Sequence, residues 1–341
     1  MKHVSLAHAA ACLVLAVSLA LLAGCGSCGF DCGSDDEDRG PALLDLGFTD
    51  ESVEQLKQVV IEVDRITLRR TGAADVVIDT FTIEEQNLVD ADSFQVDLLQ
   101  YRGRNQLRVI EDLELEPGTY SDLLIDIVDG DINRSYVQES GDELKPLNLD
   151  AGSLSLPGFE LSPGDASFAV VFSLAQSVRY REAADDYLLS ADGVRVIDSA
   201  RAASISGRVD RELFDTAESC SGKTDPEIGN RVYIYRLASQ GSVTLADVHT
   251  DASSTEVPDN TQAPFSVAAL AEDVLTGNWQ YAFGFLPADD YVLAFSCDTE
   301  GDDPVDYDGF VVPLPDSQVY EIELSEGERA ACDLAPGASC S

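Results

Sequence analysis

Leu113-Glu-Leu-Glu-Pro-Gly-Thr-Tyr120 and Phe283-Gly-Phe-Leu-Pro-Ala-Asp-Asp-Tyr291 are two similar stretches that decide how this chain folds. In each stretch, apolar residues lead to a proline, small or acidic residues follow, and a tyrosine opens an alternating apolar run. Proline presets φ for a tight turn, and the alternation after the tyrosine places every second side chain on one face of a strand. We therefore predict a strand–turn–strand unit at the centre of each of two β-sandwiches.

The rest of the chain continues this pattern of short strands. Alternating runs are separated by Gly, Pro, Asp and Asn, without long helical periodicity, and the pattern restarts near Ser204. Such a pattern is typical of all-β sandwiches and barrels. We predict an all-β fold of two consecutive antiparallel β-sandwiches, formed by residues 56–200 and 201–341. The acidic, Gly- and Ser-rich residues 25–55 are predicted to form a flexible tether.

The composition fits a folded two-domain chain and argues against one class of partner. The 341 residues favour two domains over one, and a hydrophobic fraction of 45% is ordinary for a folded protein. The 63 acidic residues outnumber the 21 basic ones, which gives a formal net charge of −42. Because such a surface repels phosphates, we predict no nucleic-acid partner. The acidic surface serves solubility or, alternatively, binds divalent cations or a basic partner.

Residues 1–24 have the pattern of a secretory signal peptide. Lys2 and His3 precede a long apolar stretch, which ends in small residues before Cys25. A transmembrane anchor is the alternative, but the small-residue end favours cleavage. Leu22-Ala-Gly-Cys25 also resembles the lipobox of bacterial lipoproteins. That resemblance implies cleavage before Cys25 and attachment of acyl chains such as palmitate to it.

This N-terminus predicts the location of the protein. Several acyl chains at one terminus suffice for stable membrane anchoring without a spanning helix. We expect an exported protein that is lipid-anchored to the cell envelope and contacts the membrane only through its N-terminal lipid. The resemblance to lipoproteins further implies the outer membrane, because Gly26 and not Asp follows Cys25.

Residues from about Leu56 to Ala200 resemble a known bacterial family. The order Ile61-Glu-Val-Asp-Arg-Ile-Thr-Leu68, then Val96-Asp-Leu-Leu99, then Leu115-Glu-Pro-Gly-Thr-Tyr120 is similar to the domain of unknown function 4382. The resemblance implies a β-sandwich that is common on secreted lipoproteins and has no assigned activity. Its motifs are structural, so it implies no catalytic residue.

The second half of the chain resembles a different type of module. Ile205-Ser-Gly-Arg-Val209 and the Phe283–Tyr291 stretch are similar to the opening strand and the corner of prealbumin-like or carboxypeptidase-regulatory-like β-sandwiches. Modules of that kind usually serve as spacers or binding platforms, which is what the resemblance implies here.

The cysteines predict disulfides. Of the eight, Cys12 leaves with the signal peptide and Cys25 is taken by lipid. An even number remains in an exported chain, which suggests disulfide pairing. We expect three pairs: Cys28–Cys32 in the tether, Cys220–Cys297 at the end of a core strand, and Cys332–Cys340 closing the tail.

Motifs of catalysis are sparse. After signal-peptide cleavage His249 is the only histidine, and the sequence has no nucleophile elbow, phosphate-binding loop or dinucleotide fingerprint. We therefore expect no enzyme activity and no organic cofactor. A carbohydrate-active hydrolase that uses a pair of carboxylates is the alternative, because the chain is rich in acids.

Two acidic loops are candidate calcium sites. The first contains Asp129, Asp131 and Asn133, which alternate like calcium ligands, although Arg134 stands where an EF-hand requires glycine. The second loop contains its own set of hard oxygen ligands, Asp298, Glu300 and Asp302. Ordinary turn formation is the alternative for both loops, since Asp, Asn and Gly favour turns between strands.

These observations predict a lipid-anchored cell-envelope protein. We expect it to act without catalysis, either by binding and adhesion or as a structural spacer. The expected partner is an unidentified envelope protein or glycan.

Overall fold

Alternating apolar and polar residues build most elements of this chain. The computed structural model describes residues 40–51, 56–237 and 243–340, and the chain from Gly40 onward forms one compact unit. The predicted signal peptide, the lipidation site Cys25 and the predicted Cys28–Cys32 pair lie outside the described residues. Within the described ranges, no helix has the length and apolar character needed to cross a membrane.

The first sandwich contains fifteen strands and one short α-helix. The strands are β1 (Ala42–Glu51), β2 (Leu56–Arg70), β3 (Val76–Ile78), β4 (Phe81–Ile83), β5 (Leu88–Ala91), β6 (Phe94–Asp97), β7 (Leu107–Leu115), β8 (Gly118–Ile127), β9 (Tyr136–Glu139), β10 (Leu144–Leu149), β11 (Leu154–Leu161), β12 (Gly164–Ser173), β13 (Val178–Arg181), β14 (Asp186–Leu189) and β15 (Val194–Asp198). The helix α1 (Leu174–Ser177) follows β12, and 3₁₀ turns span Glu84–Gln86 and Leu98–Gln100.

Most of these strands form two facing sheets, whereas β4 and β5 pair with each other in a separate two-stranded sheet. Sheet 1 has the order β15-β12-β1-β7, and sheet 2 has the order β11-β8-β2-β9-β10-β14-β13, with β3 and β6 paired to β2. Side chains from both sheets share one buried core. Phe48 of sheet 1, for example, lies between Phe172 of its own sheet and Phe94 of sheet 2, at ring-centroid distances of 5.7 and 6.1 Å.

The first strand corrects the prediction of a flexible tether over residues 25–55. Ala42–Glu51 is the strand β1, paired on both sides within sheet 1. Leu44, Leu46 and Phe48 are fully buried. The acidic and Gly-rich residues that precede this segment masked its alternation of apolar residues, which is the pattern of a half-buried strand.

The second sandwich contains the remaining ten strands. They are β16 (Ala203–Val209), β17 (Arg231–Arg236), β18 (Thr244–Leu245), β19 (Thr261–Gln262), β20 (Ser266–Ala269), β21 (Ala271–Asp273), β22 (Asn278–Leu286), β23 (Asp289–Ser296), β24 (Val319–Leu324) and β25 (Arg329–Ala331), with 3₁₀ turns at Arg211–Leu213 and Glu218–Cys220. Sheet 3 has the order β21-β22-β16-β25, and sheet 4 has the order β20-β17-β23-β24. A second buried core lies between these two sheets and includes Ile205, Ile234 and Phe295.

The prediction of an all-β sandwich fold is confirmed. Not every neighbouring pair of strands is antiparallel, however, because β1 pairs with β12 and β16 pairs with β25 in parallel. Parallel neighbours require a long crossover connection. The alternation of apolar residues along each strand carries no information about such connections.

The two similar stretches form the same turn in both sandwiches. Each connects the two facing sheets, from β7 in sheet 1 to β8 in sheet 2 and from β22 in sheet 3 to β23 in sheet 4. The tyrosine after each turn is buried and donates a hydrogen bond to a backbone carbonyl four residues upstream. Tyr120 Oη lies 3.0 Å from the Glu116 carbonyl oxygen, and Tyr291 Oη lies 2.9 Å from that of Pro287.

Two disulfides close the second sandwich, and both were predicted. Cys220 pairs with Cys297, which links the 3₁₀ turn before β17 to the end of β23. Cys332 pairs with Cys340 and holds the C-terminal tail. Both bonds cross-link segments that already contact the same core, in which Cys220, Cys297 and Cys332 are buried.

Candidate functional site

The first predicted calcium loop lies between β8 and β9, where its residues act as turn residues. Asp131 Oδ1 accepts hydrogen bonds from the backbone N–H and the side-chain amide of Asn133, both at 2.9 Å. These hydrogen bonds lower the pKa of Asp131. Asp129 Oδ2 accepts a hydrogen bond from the backbone N–H of Leu149 at 3.1 Å. Turn formation accounts for all of these contacts.

The second predicted calcium loop is divided between solvent and interior. Asp298 and Glu300 are exposed, whereas the side chain of Asp302 has no exposed surface. No group of three or more His, Cys, Asp or Glu side chains within the described residues could hold a metal ion. Neither predicted loop therefore brings its acidic side chains together as a ligand cluster, and calcium binding stays a prediction.

A buried group of polar side chains joins the two sandwiches. Glu51, at the end of β1, is 1% exposed and accepts two hydrogen bonds of 2.9 Å from Nη2 of Arg195 in β15. Ser266 of the second sandwich donates a hydrogen bond to the same carboxylate. The Arg195 guanidinium also lies over the ring of Phe265, 4.6 Å from its centroid. One carboxylate therefore receives donors from both sandwiches.

Further contacts hold the sandwiches together on either side of this group. Arg179 of β13 forms ion pairs with Asp303 at 2.9 Å and with Asp306 at 3.1 Å. An apolar contact brings Phe285 of β22 against Ala169 and Val171 on the outer face of sheet 1. The joint thus combines apolar packing with partly exposed ion pairs.

A cleft of about 330 Å³ lies at this joint and is lined by both sandwiches. Leu174, Ala175 and Val178 give it an apolar wall on the side of the first sandwich. Its polar lining residues are Glu139, Ser140, Tyr187, Arg231 and Asp302. Pockets with an apolar wall and a few convergent polar groups are the usual form of small-ligand sites.

Arg231 and Asp302 form a buried ion pair at one end of the cleft. Nη1 of Arg231 lies 3.0 Å from Oδ2 of Asp302, and the two side chains are 10% and 0% exposed. The same oxygen accepts a hydrogen bond of 2.7 Å from the hydroxyl of Tyr233. Burial raises the pKa of Asp302 to about 6, although Arg231 and Tyr233 oppose that shift. A carboxyl group of this kind changes its charge near neutral pH.

A second buried acidic residue, Asp247, contributes to the raised pKa of Asp302. Asp247 is 0% exposed, and its Oδ2 accepts a hydrogen bond of 2.8 Å from the backbone N–H of Phe310. Burial raises the pKa of Asp247, and the negative charge of Asp308 raises it further. The charge of Asp247 in turn raises the pKa of Asp302. Asp247, which follows β18, and Asp302, which follows β23, are therefore acidic residues whose pKa values burial raises.

On the opposite side of the cleft, Glu139 accepts a hydrogen bond of 2.9 Å from the hydroxyl of Tyr187. Two carboxyl groups, Glu139 and Asp302, therefore line one cleft. The Asp302 side chain is fully buried behind its contacts with Arg231 and Tyr233. In this arrangement Asp302 positions Arg231, while Glu139 and Tyr187 present polar groups to the cleft.

Sequence reasoning identified Asp302, as a calcium ligand, but missed Glu51, Arg195 and Arg231. The partners of Glu51 lie 144 and 215 residues away along the chain, so no local spacing links them. One signal was present: Arg231 directly precedes the apolar and aromatic run Val232–Tyr235, and buried arginine is rare unless it is paired. The position of Arg231 therefore indicates a buried ion pair but does not identify the carboxylate that forms it.

We predict that Glu51→Ala lowers the free energy of unfolding by about 3–5 kcal/mol, because it leaves the buried Arg195 guanidinium without its counter-charge. Urea unfolding of the purified chain measures this difference. Glu160→Ala, at an exposed position of β11, is the matched control and should change stability by no more than about 0.5 kcal/mol. Equal effects of the two substitutions would contradict a stabilising role for the Glu51 contacts.

We predict a pH dependence of stability that originates at Asp302. Its pKa is about 6 in the folded chain against an ordinary 3.8. The protonated form is therefore favoured by folding, and this stabilisation is complete below pH 3.8 and lost as the pH rises through 6. Relative to Asp302→Asn, the wild-type chain should gain up to about 3 kcal/mol of unfolding free energy between pH 7.5 and pH 4.

Urea unfolding at several pH values measures this gain. Asp298→Asn, at an exposed position of the same loop, should keep the wild-type pH dependence. If Asp302→Asn keeps that dependence too, Asp302 is not the titrating group.

The solved structures that match this chain include two weak likenesses. The chain is similar to a leucine-rich repeat protein from Bacteroides thetaiotaomicron VPI-5482, with 11% identity, a TM-score of 0.20, and coverage of 89% of this chain and 27% of that one. It therefore spans about a quarter of that structure's length. It is also similar to a proposed cell adhesion protein from Bacteroides fragilis NCTC 9343, with 9% identity, a TM-score of 0.21, and coverage of 88% and 95%. TM-scores this low identify no shared fold.

One family model matches the chain. The comparison of the chain with curated proteins finds no match. The family match begins at residue 41, with β1, and not near Leu56 as predicted. It ends before β15, so it covers nearly all of the first sandwich. The predicted likeness is thereby confirmed for this region: residues 41–191 match the model of the domain of unknown function DUF4382.

Proposed function

We propose that this chain is a non-catalytic binding protein of the cell envelope, in which two joined sandwiches present a binding surface away from a lipid anchor at Cys25. The observation that supports this role best is the joint itself. Glu51, Arg195 and Ser266 hold the two sandwiches as one body, and a cleft lined by both of them opens beside that contact. A surface built from two rigid modules suits recognition of a partner at a distance from the anchor.

The direction of β1 fits this arrangement. The strand enters sheet 1 at Ala42 and runs to Glu51, which contacts the second sandwich. At about 3.4 Å per residue its ten residues span roughly 30 Å. The described chain therefore enters sheet 1 at the end of β1 that lies roughly 30 Å from Glu51.

A carbohydrate-active hydrolase is the second candidate, because Glu139 and Asp302 line one cleft with Tyr187 beside them. Hydrolysis of a glycosidic bond needs both carboxyl groups to reach the sugar. Asp302 has no exposed side-chain surface and is held by Arg231 and Tyr233. Its burial favours a role in positioning Arg231, and this is why we rank binding above hydrolysis.

We predict that Cys25→Ala releases the protein from the envelope. The wild-type chain should fractionate with membranes, whereas the variant should become soluble, because the lipid is its only expected attachment. Immunoblotting of separated membrane and soluble fractions measures this. Cys28→Ala, a nearby cysteine outside the lipobox, should stay with the membranes. Membrane retention of Cys25→Ala protein from which residues 1–24 have been removed would contradict lipid anchoring.

We predict saturable binding of the released chain to cell envelopes. The purified Cys25→Ala protein, labelled with a fluorophore, should co-sediment with envelopes from cells that lack the protein, and excess unlabelled protein should compete with it. Digestion of the envelopes with protease or with glycosidases then distinguishes a protein partner from a glycan. Sedimentation that is neither saturable nor competed would contradict the binding role and leave that of a spacer.

A further inference from the structure

Basic side chains are scarce in this chain, so their placement is informative. Most of the described arginines form an ion pair with a carboxylate within 4.0 Å. Those that form no such pair with any residue the structure describes are Arg69, Arg102, Arg104, Arg108, Arg208 and Arg329. In a chain with 63 acidic residues, arginines that avoid carboxylates call for a physical explanation.

Two of these arginines, Arg102 and Arg208, come together at one place, the arginine cavity. Arg102 and Arg208 line a cavity of about 480 Å³ on the outer face of sheet 3. Arg102 comes from the loop before β7 in the first sandwich, and Arg208 comes from β16 in the second. The cavity is therefore built by both sandwiches. Its volume lies within the usual range for small-ligand sites.

The floor of the arginine cavity consists of small and polar residues. Gly207, Ala282 and Ala331 lie on neighbouring strands of sheet 3, and Ser206 and Gln280 line the cavity beside them. Small side chains let a ligand approach the sheet closely. The serine hydroxyl and the glutamine amide can donate or accept hydrogen bonds, as sugar hydroxyls require.

Arg329 and Arg104 add positive charge next to the cavity. Arg329 of β25 pairs in register with Ser204 of β16. Arg329 lies two residues before Ala331, so these two residues lie on the same face of β25. Arg104 donates a hydrogen bond of 2.9 Å to the carbonyl oxygen of Ala202. Burial lowers the pKa of Arg104, and the positive charge of Arg329 lowers it further. The two guanidinium groups are therefore close enough to repel each other.

Three acidic residues, Asp333, Asp50 and Asp273, lie near the arginines of this cavity. Hydrogen bonds from Thr276 and Leu275 lower the pKa of Asp273, and the positive charge of Arg208 lowers it further. Asp333 lines the cavity, but its Oδ1 accepts a hydrogen bond of 2.8 Å from the backbone N–H of Arg208. Asp50 lies near Arg102, yet burial raises its pKa well above the ordinary value, so that its charge is disfavoured. Nε of Arg102 is buried and makes no hydrogen bond with the described residues. Arg102 and Arg208 nevertheless form no ion pair within 4.0 Å with a carboxylate of the described residues.

We infer that the arginine cavity binds a phosphate or sulfate group carried by a sugar. Guanidinium groups match such oxyanions in geometry and bind them through paired N–H donors. An oxyanion between Arg102 and Arg208 would supply the close counter-charge that neither arginine finds among the described carboxylates. This inference names a ligand chemistry for the proposed binding role, but it concerns a site distinct from the cleft at the joint. Its test does not depend on lipid anchoring.

The test uses isothermal titration calorimetry on the purified full chain carrying Cys25→Ala. The probes are glucose 6-phosphate and glucose 6-sulfate, with glucose as the neutral control and inorganic phosphate and sulfate as bare anions. We expect at least one sugar ester to bind at least tenfold more tightly than glucose. Tighter binding of an ester than of its bare anion would show that the sugar also contributes, through groups such as Ser206 and Gln280.

Charge-removing variants locate the binding. Arg102→Gln/Arg208→Gln should weaken binding of the better ester at least tenfold, and Arg208→Gln alone, at an exposed position, should weaken it severalfold with an unchanged melting temperature. Arg69→Gln is the matched control, because Arg69 is exposed, makes no ion pair with the described residues and lies on β2 in sheet 2. It should bind like the parent chain. Two results would overturn the inference: esters that bind no better than glucose, or an equal loss in Arg69→Gln.

Discussion

The contact of Glu51 with Arg195 and Ser266 is the interaction on which the relation between the two sandwiches depends. A carboxylate with 1% exposure is costly to bury unless donors surround it. Here the donors come from β15 of the same sandwich and from β20 of the other. If the sandwiches separated, Glu51 would lose Ser266, and Arg195 would lose its contacts with Phe265. The joint therefore fixes the orientation of one sandwich relative to the other, since this arrangement satisfies all of these groups together.

Within each sandwich, a repeated turn imposes a comparable constraint. The chain must cross from one sheet to the facing sheet without leaving its backbone groups unpaired. In both sandwiches a proline-containing turn makes this crossing, and a buried tyrosine returns a hydrogen bond to the carbonyl four residues upstream. The tyrosine ring fills the core while its hydroxyl satisfies the turn. This double role explains why two modules with little other similarity share the motif.

The sequence predicted what depends on neighbours along the chain and missed what depends on distant partners. Strand alternation and proline turns are local, so the all-β class followed from them, and export together with cysteine parity led to Cys220–Cys297 and Cys332–Cys340. β1 was missed because the acidic, Gly-rich composition on its N-terminal side outweighed its own alternation. The acidic loops gave ambiguous signals, since the same residues suit turns and calcium. The Glu51 joint could not be predicted, because Arg195 and Ser266 each lie more than a hundred residues from Glu51 along the chain.

Because the net charge is −42, the positions of the few basic residues matter for the stability of this fold. An arginine that meets a buried carboxylate, as Arg195 and Arg231 do, neutralises a charge that would otherwise oppose folding. An arginine that contacts no carboxylate is most easily tolerated on the solvent-exposed surface, where salt screens its repulsion by other positive charges. The cluster around Arg102 and Arg208 departs from both patterns, because its charges converge in a concave site and Nε of Arg102 is buried. Stability alone would favour dispersing these charges, so their convergence indicates a ligand that carries the opposite charge.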